Sequence, residues 1–327
     1  MENLASSDPN APELAGQLPA ILPTPPGRNP VLFNDRGLRA GWRLLIYFFL
    51  LLLLSSPINP ILKKLHPAAF NQQDPAQTLF LETINFALVL GAALIMSKIE
   101  CRSLGDYGLP GSESFGRKFW LGMLLGLVEV TVLIGLISAF DGYSFGNLAL
   151  SPKAALGYGL LHLVFFTMVG FFEEFAFRGY TQFTLADGIG FWPAAFFLSL
   201  GFGAVHLIFN RGENPVGAVS VVLVGIFFAF TLHRTGNLWY AVGLHASFDW
   251  GETYLFSVPN SGTFMEGHLS NSILHGPKWL TGGTVGPEGS IFCFLTMGLQ
   301  FLVVMWLFPK KNTAAESAAQ STLPYAT

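Results

Sequence analysis

Eight stretches of the chain each run for about twenty mostly apolar residues, the length needed to cross a lipid bilayer as a helix. They cover roughly 41–62, 78–97, 119–140, 154–186, 189–210, 216–233, 237–256 and 290–308. In hydrocarbon every backbone N–H and C=O must be satisfied within the protein, so segments of this kind fold as helices. Charged residues make up 11% of the 327 residues, against about 25% in ordinary soluble domains. The expected fold is therefore all-α, a polytopic transmembrane helix bundle of about eight spans. Pro57 and Pro60 lie late in the first stretch and predict a stop or kink there.

The remaining segments divide the chain. Residues 1–40 hold Pro, Ser, Asn and Gly without an apolar run, and read as a disordered cytosolic tail rather than a signal peptide. Residues 41–153 form accessory transmembrane helices, 154–256 a polar-bearing core, and 290–308 a last span. The Gly-, Ser- and Pro-rich 257–289 is a long loop suited to fold over the bundle as a lid, and 309–327 is a second tail. With eight spans, the tails and even-numbered loops share a side that carries 12 Lys and Arg, among them Arg28, Arg36, Lys310 and Lys311, against 5 opposite, among them Arg211. Excess basic residues mark the cytoplasmic side, which places both termini there. A net charge of −3 gives no reason to expect nucleic acid, and two distant cysteines provide neither a disulfide framework nor a metal-type spacing.

Against this background the ionisable residues inside apolar stretches stand out. A charge at the bilayer centre costs about 2.5–3.5 kcal/mol on insertion scales and marks a functional site by default. Glu173 and Glu174 lie in such a run, followed by Arg178. Helical spacing brings Glu174 and Arg178 onto one face, while Glu173 points about 100° away. Arg178 is thus expected to neutralise Glu174 and leave Glu173 facing a cavity. Phe202 and His206 follow in the fifth stretch, and His245 and Asp249 stand four apart in the seventh. If the fourth helix runs to about residue 186, the rise of ~1.5 Å per residue puts Glu173, His206, His245 and Asp249 in one layer. Glu82 and Glu129 are placed to pair across helices, Glu252 to line the outer cavity, and His162 to serve as a rim or packing residue. Gly201 and Gly203 permit close helix approach.

Glu-Glu-x-x-x-Arg, Phe-x-x-x-His and His-x-x-x-Asn/Asp on three successive membrane segments resemble the CPBP family of intramembrane endopeptidases. This family comprises the CAAX-protease and bacteriocin-processing (Abi) proteins and includes the type II CAAX prenyl endopeptidase. The matching residues are Glu173, Glu174 and Arg178, then Phe202 and His206, then His245 and Asp249. The resemblance implies a conical catalytic cavity inside the membrane, where Glu173 and His206 activate water and His245 donates to the oxyanion. Asp249 stands where the eukaryotic enzyme has Asn; an ionised Asp accepts hydrogen bonds, so it is expected to orient His245. Glu174, Arg178 and Phe202 have supporting roles.

No cofactor is expected, with zinc on Glu and His as the alternative. The implied substrate is a membrane-associated or lipid-modified peptide or protein, met in the bilayer of what reads as a bacterial inner membrane. A non-catalytic scaffold or immunity protein and a proton-coupled transporter are the competing readings. The complete Glu and His set argues against the first, and the lack of an internal repeat against the second.

Overall fold

The computed structural model describes residues 29–34, 37–71, 73–210 and 212–309. Most of the two expected tails, with Arg28, Arg36, Lys310 and Lys311, and Arg211 in a loop, lie outside the described residues. Each of the eight apolar stretches holds a helix. The described residues form α1 (Ala40–Leu65), α2 (Pro75–Ile99), α3 (Arg117–Ala139), α4 (Pro152–Arg178), α5 (Tyr180–Ile189), α6 (Phe191–Phe209), α7 (Pro215–Thr235), α8 (Trp239–Trp250), the short α9 (Lys278–Thr281) in the 257–289 segment, and α10 (Ile291–Leu307). Strand content is confined to two-residue pieces; one pair joins Tyr143–Ser144 to Ile273–Leu274 in antiparallel register. The chain is a polytopic all-α membrane protein.

Six helical runs are long and apolar enough to cross a membrane, counting α4 and α5 together, and α10 is apolar but shorter. The seventh stretch is shorter still: α8 has 12 residues and passes into a π-helical turn at Gly251–Leu255. The expected run of the fourth helix to residue 186 is also corrected. It breaks at Gly179, where a side chain would meet the Phe175 carbonyl at 2.4 Å, and α5 starts afresh. Pro57 and Pro60, by contrast, do not end α1. Pro57 has no N–H for the Leu53 carbonyl, and the Ser56 hydroxyl donates to that carbonyl at 3.3 Å instead.

Helix starts follow one chemistry. Asp74, Ser151 and Asn214 cap α2, α4 and α7, each before a proline at the first helical position. The side-chain oxygen satisfies an exposed N–H, and the proline lacks the N–H that would otherwise be unpaired.

Polar contacts sort the helix ends into two faces. Arg43 at the start of α1 pairs with Glu100 just past α2 at 2.9 Å and with Asp187 in α5 at 2.8 Å. Lys118 at the start of α3 donates to the Thr235 carbonyl closing α7 at 2.8 Å, and Arg234 donates to the Phe308 carbonyl beyond α10 at 3.2 Å. These ends form the basic face. On the other face the 257–289 segment bonds to all three neighbouring loops, through Glu266 N to Gln73 O, Asn271 N to Asn147 O, and Thr284 Oγ1 to Gly212 O.

The short α8 is held by glycines. A side-chain carbon on Gly122 or Gly126 of α3 would sit 2.2 Å from the carbonyl oxygen of Tyr240 or Leu244, and one on Gly243 2.2 Å from that of Phe119. Small residues four apart let two membrane helices meet backbone to backbone. Gly203 likewise admits the Ala218 carbonyl of α7, whereas Gly201 has only a Phe177 ring atom at 4.0 Å, so just one of the expected pair makes a close approach. Gly126→Val is expected to destabilise the purified protein by about 1–3 kcal/mol, the usual cost of overpacking. Denaturant unfolding in detergent measures it, and an unchanged midpoint would show that α3 and α8 can separate freely.

Candidate active site

The site is assembled from three helices. From α4 come Glu173, Glu174 and Arg178; from α6, Phe202 and His206; from α8, His245 and Asp249. Glu174 is fully buried and lies 3.3 Å from Arg178 Nη1, one turn away. Arg178 is itself buried, with its guanidinium 4.4 Å above the Phe202 ring. A side-chain carbon on Gly225 of α7 would stand 2.7 Å from Arg178 Nη2, so the space for this cation depends on that glycine. Glu173, the neighbouring acid, is 22% exposed at its side chain and lines a cavity. The two glutamates divide as helical geometry predicts.

His245 links the acids. Its Nδ1 lies 3.0 Å from Glu174 Oε1, a carboxylate that can only accept, so Nδ1 carries the proton. Its Nε2 faces Glu173 Oε2 at 3.7 Å and Asp249 Oδ2 at 3.4 Å. The ring stacks on Phe228 of α7, with centroids 5.2 Å apart and planes at 16°. Carboxylates and an aromatic wall thus orient the imidazole from three directions.

His206 reaches the same cavity from α6. Its Nδ1 lies 3.0 Å from the Phe202 carbonyl, which again can only accept. The proton therefore resides on Nδ1, and Nε2 keeps a lone pair. Phe202 packs against His206 with centroids 4.5 Å apart, so this ring contacts both the arginine and the histidine. All seven residues singled out in the sequence come together, with Glu173, His206, His245 and Asp249 on the cavity wall.

Other expectations need correction. Glu82 and Glu129 both line the cavity, but among the described residues no hydrogen bond joins them; Gln300 donates to the Leu125 carbonyl at 3.0 Å. Glu252 is fully buried and accepts from Asn260 Nδ2 at 3.1 Å, which turns it toward the 257–289 segment. His162 is fully buried, with Nε2 3.0 Å from the Glu266 carbonyl, so of the two expected places, rim or packing, it takes the packing one. α4 ends at Arg178 rather than near residue 186, and Glu173 Oε2 still meets His245 Nε2 at 3.7 Å.

Sequence reading missed Glu288, which sits in a single 3₁₀ turn, Pro287–Gly289, and lines the cavity. Its carboxylate accepts from the Ser261 hydroxyl at 2.9 Å and from the Ser261 N–H. Burial, reinforced by the nearby Asp249, pushes its pKa up to about 8. Among the described residues no three His, Cys, Asp or Glu side chains are grouped to hold a metal ion.

A bundle of apolar helices that gathers glutamates and histidines around an internal cavity is similar, over part of the chain, to intramembrane proteases of the CAAX type. The particular finding is that residues 155–251 match the family model Type II CAAX prenyl endopeptidase Rce1-like. The match runs from α4 through α8 and includes all seven site residues, in agreement with the family that the three motifs resemble. A comparison with curated proteins and one with solved structures found no match.

Proposed function

We propose that this protein hydrolyses a peptide bond of a membrane-associated or lipid-modified substrate, using water activated by Glu173 and His206. The observation that carries the reading is the division of the two acids: Glu174 is tied to Arg178 and His245, while Glu173 faces the cavity that His206 also lines. Peptide hydrolysis requires a base for water, a donor for the oxyanion and a proton for the leaving amine. Glu173 takes the water proton, and the lone pair on His206 Nε2 holds the water in place. His245, kept oriented by Glu174 and Asp249, donates to the oxyanion as it forms. The proton gathered by Glu173 then passes to the departing nitrogen. Asp249 acts through His245 and is a positioning residue. Electrostatics favour this arrangement in a poorly hydrated cavity, where fixed dipoles and charges act more strongly than in water.

The test compares peptide termini by mass spectrometry in membranes from cells making the wild-type protein, Glu173→Ala or His206→Ala at equal, folded levels. New termini are expected with wild type and lost in both variants; the same termini in all three would rule out the assignment. The reading places the chemistry on protein side chains with no resident metal. Chelation is therefore expected to leave cleavage by purified protein unchanged, and a loss that zinc restores would replace this part of the reading.

A further inference from the structure

We infer that the cavity recognises its substrate by one cationic side chain, a lysine or arginine held at Glu129 while the bond to be cut lies at Glu173. This deepens the proteolytic reading and rests on it for the reaction, but not for the binding. Three observations carry it.

The first is the one-sided charge of the cavity wall. Glu82, Glu129, Glu173, Asp249 and Glu288 line it, and no lysine or arginine does. A cleft lined by one sign of charge in low-dielectric surroundings draws in ligands of the other sign. Four of the five acids are engaged at or near the reacting groups or with the 257–289 segment. Glu173 and Asp249 face His245 Nε2, Glu82 lies beside Glu173, and Glu288 accepts from Ser261. Glu129 stands apart from them.

The second is that Glu129 has no cation of its own. It is the thirteenth of the 23 residues of α3, about 18 Å from the helix start at ~1.5 Å per residue, and it is 7% exposed. Among the described residues its polar neighbours are Gln300 and Thr296, both uncharged. Gln300 donates to the Leu125 carbonyl at 3.0 Å and Thr296 to the Cys293 carbonyl at 3.1 Å, so both also serve the backbone. Buried charges are paired in proteins, and an intramembrane acid without a partner in its own chain calls for one from outside. A cation bound here leaves Glu173 free to take the water proton, whereas one bound at Glu173 would quench the base.

The third is the shape of the corner. Cys293 lies near Glu129, and Val224 and Met297 pack in one apolar cluster with it. Ser220 Oγ is 3.7 Å from Cys293 Sγ and, as a hydroxyl, keeps a lone pair for a donor. All five residues line the cavity. An apolar wall that ends in a carboxylate and a hydroxyl suits lysine and arginine, whose aliphatic stems seek apolar surface and whose tips seek polar partners. Helices α3 and α10 lie outside residues 155–251, so the motif-bearing helices alone do not supply this corner.

The test uses one apolar host peptide with lysine at each position in turn, every member matched by a norleucine peptide. The full chain carrying Glu173→Ala, which leaves peptides uncut and removes a competing acid, is titrated with them in detergent, with and without Glu129→Gln. Lysine at one register is expected to bind at least ~10-fold tighter than norleucine, the lower end of coupling between close charge pairs. Glu129→Gln is expected to remove that difference, and unchanged binding of the norleucine peptide shows that the variant is folded. Equal binding of the two peptides at every register, or a lysine preference that survives Glu129→Gln, would overturn the inference whether or not the chain is a protease. With Glu173 intact, lysine at the same register is expected to raise kcat/KM by about the same factor, and Glu129→Gln to bring the lysine peptide down to the norleucine value. Cleavage indifferent to the lysine would also overturn it. If no peptide is cut, the proteolytic reading fails and the binding comparison alone decides.

Discussion

Glu173→Gln is expected to lower the rate of cleavage by about 10²–10⁴-fold, the usual worth of a positioned general base, while leaving stability almost unchanged. Gln has the shape of Glu and can still hydrogen-bond water, but it cannot take its proton. The native side chain is 22% exposed and borders a cavity, so no packed partner is lost. Its nearest imidazole, His245 Nε2 at 3.7 Å, retains Asp249 at 3.4 Å. Glu174→Gln gives the contrasting case. That residue is fully buried between Arg178 and His245, so neutralising it strands a buried guanidinium and is expected to reduce stability first. Rates on a shared substrate, set beside denaturant midpoints, separate the two. Equal rate losses with equal midpoints would mean that the acids share one role, contrary to the division argued above.

That division was legible because it follows from helix geometry alone: four residues bring Arg178 under Glu174, and one residue turns Glu173 aside. That each apolar stretch would be helical was legible for a similar reason, since a bilayer demands apolar residues with satisfied backbone groups. Less accessible were features set by packing between distant segments. Gly179 breaks the fourth helix where a side chain would strike the Phe175 carbonyl, and no periodicity announces that. Glu252 has the right spacing from His245 for the cavity, but Asn260 from the following segment draws its carboxylate elsewhere. Glu288 sits in a polar loop, where one more acid carries no signal until the fold tucks it beside Ser261. Gly122 and Gly126 did leave a trace. Two glycines four apart in an apolar helix are a packing motif, and they mark where α8 docks.

Arg178→Met is expected to destabilise the protein by about 3–5 kcal/mol, the usual result of removing one member of a buried ion pair. Met nearly matches the arginine stem in bulk and keeps much of the apolar contact with Phe202, so the change isolates the charge. Glu174 then retains only the hydrogen bond from His245 Nδ1, with its second oxygen buried and without a partner. Arg178→Lys is expected to recover only part of the loss. A lysine ammonium lacks the planar group that lies 4.4 Å over the Phe202 ring and is more strongly hydrated than a guanidinium. The informative variant is the double change Arg178→Met with Glu174→Gln, which removes both charges and leaves an amide oxygen to accept from His245. Its stability is expected to exceed that of Arg178→Met alone, because an uncompensated charge costs more than the pair contributes. Should the double variant be as unstable as the sum of the single changes, Arg178 would act through packing among Phe177, Phe202 and Phe228 instead. Glu174 would then lose its claim to be the neutralised acid. Denaturant unfolding of the four proteins in one detergent closes the cycle, and cleavage rates on the stable members show whether an oriented His245 survives without the cation.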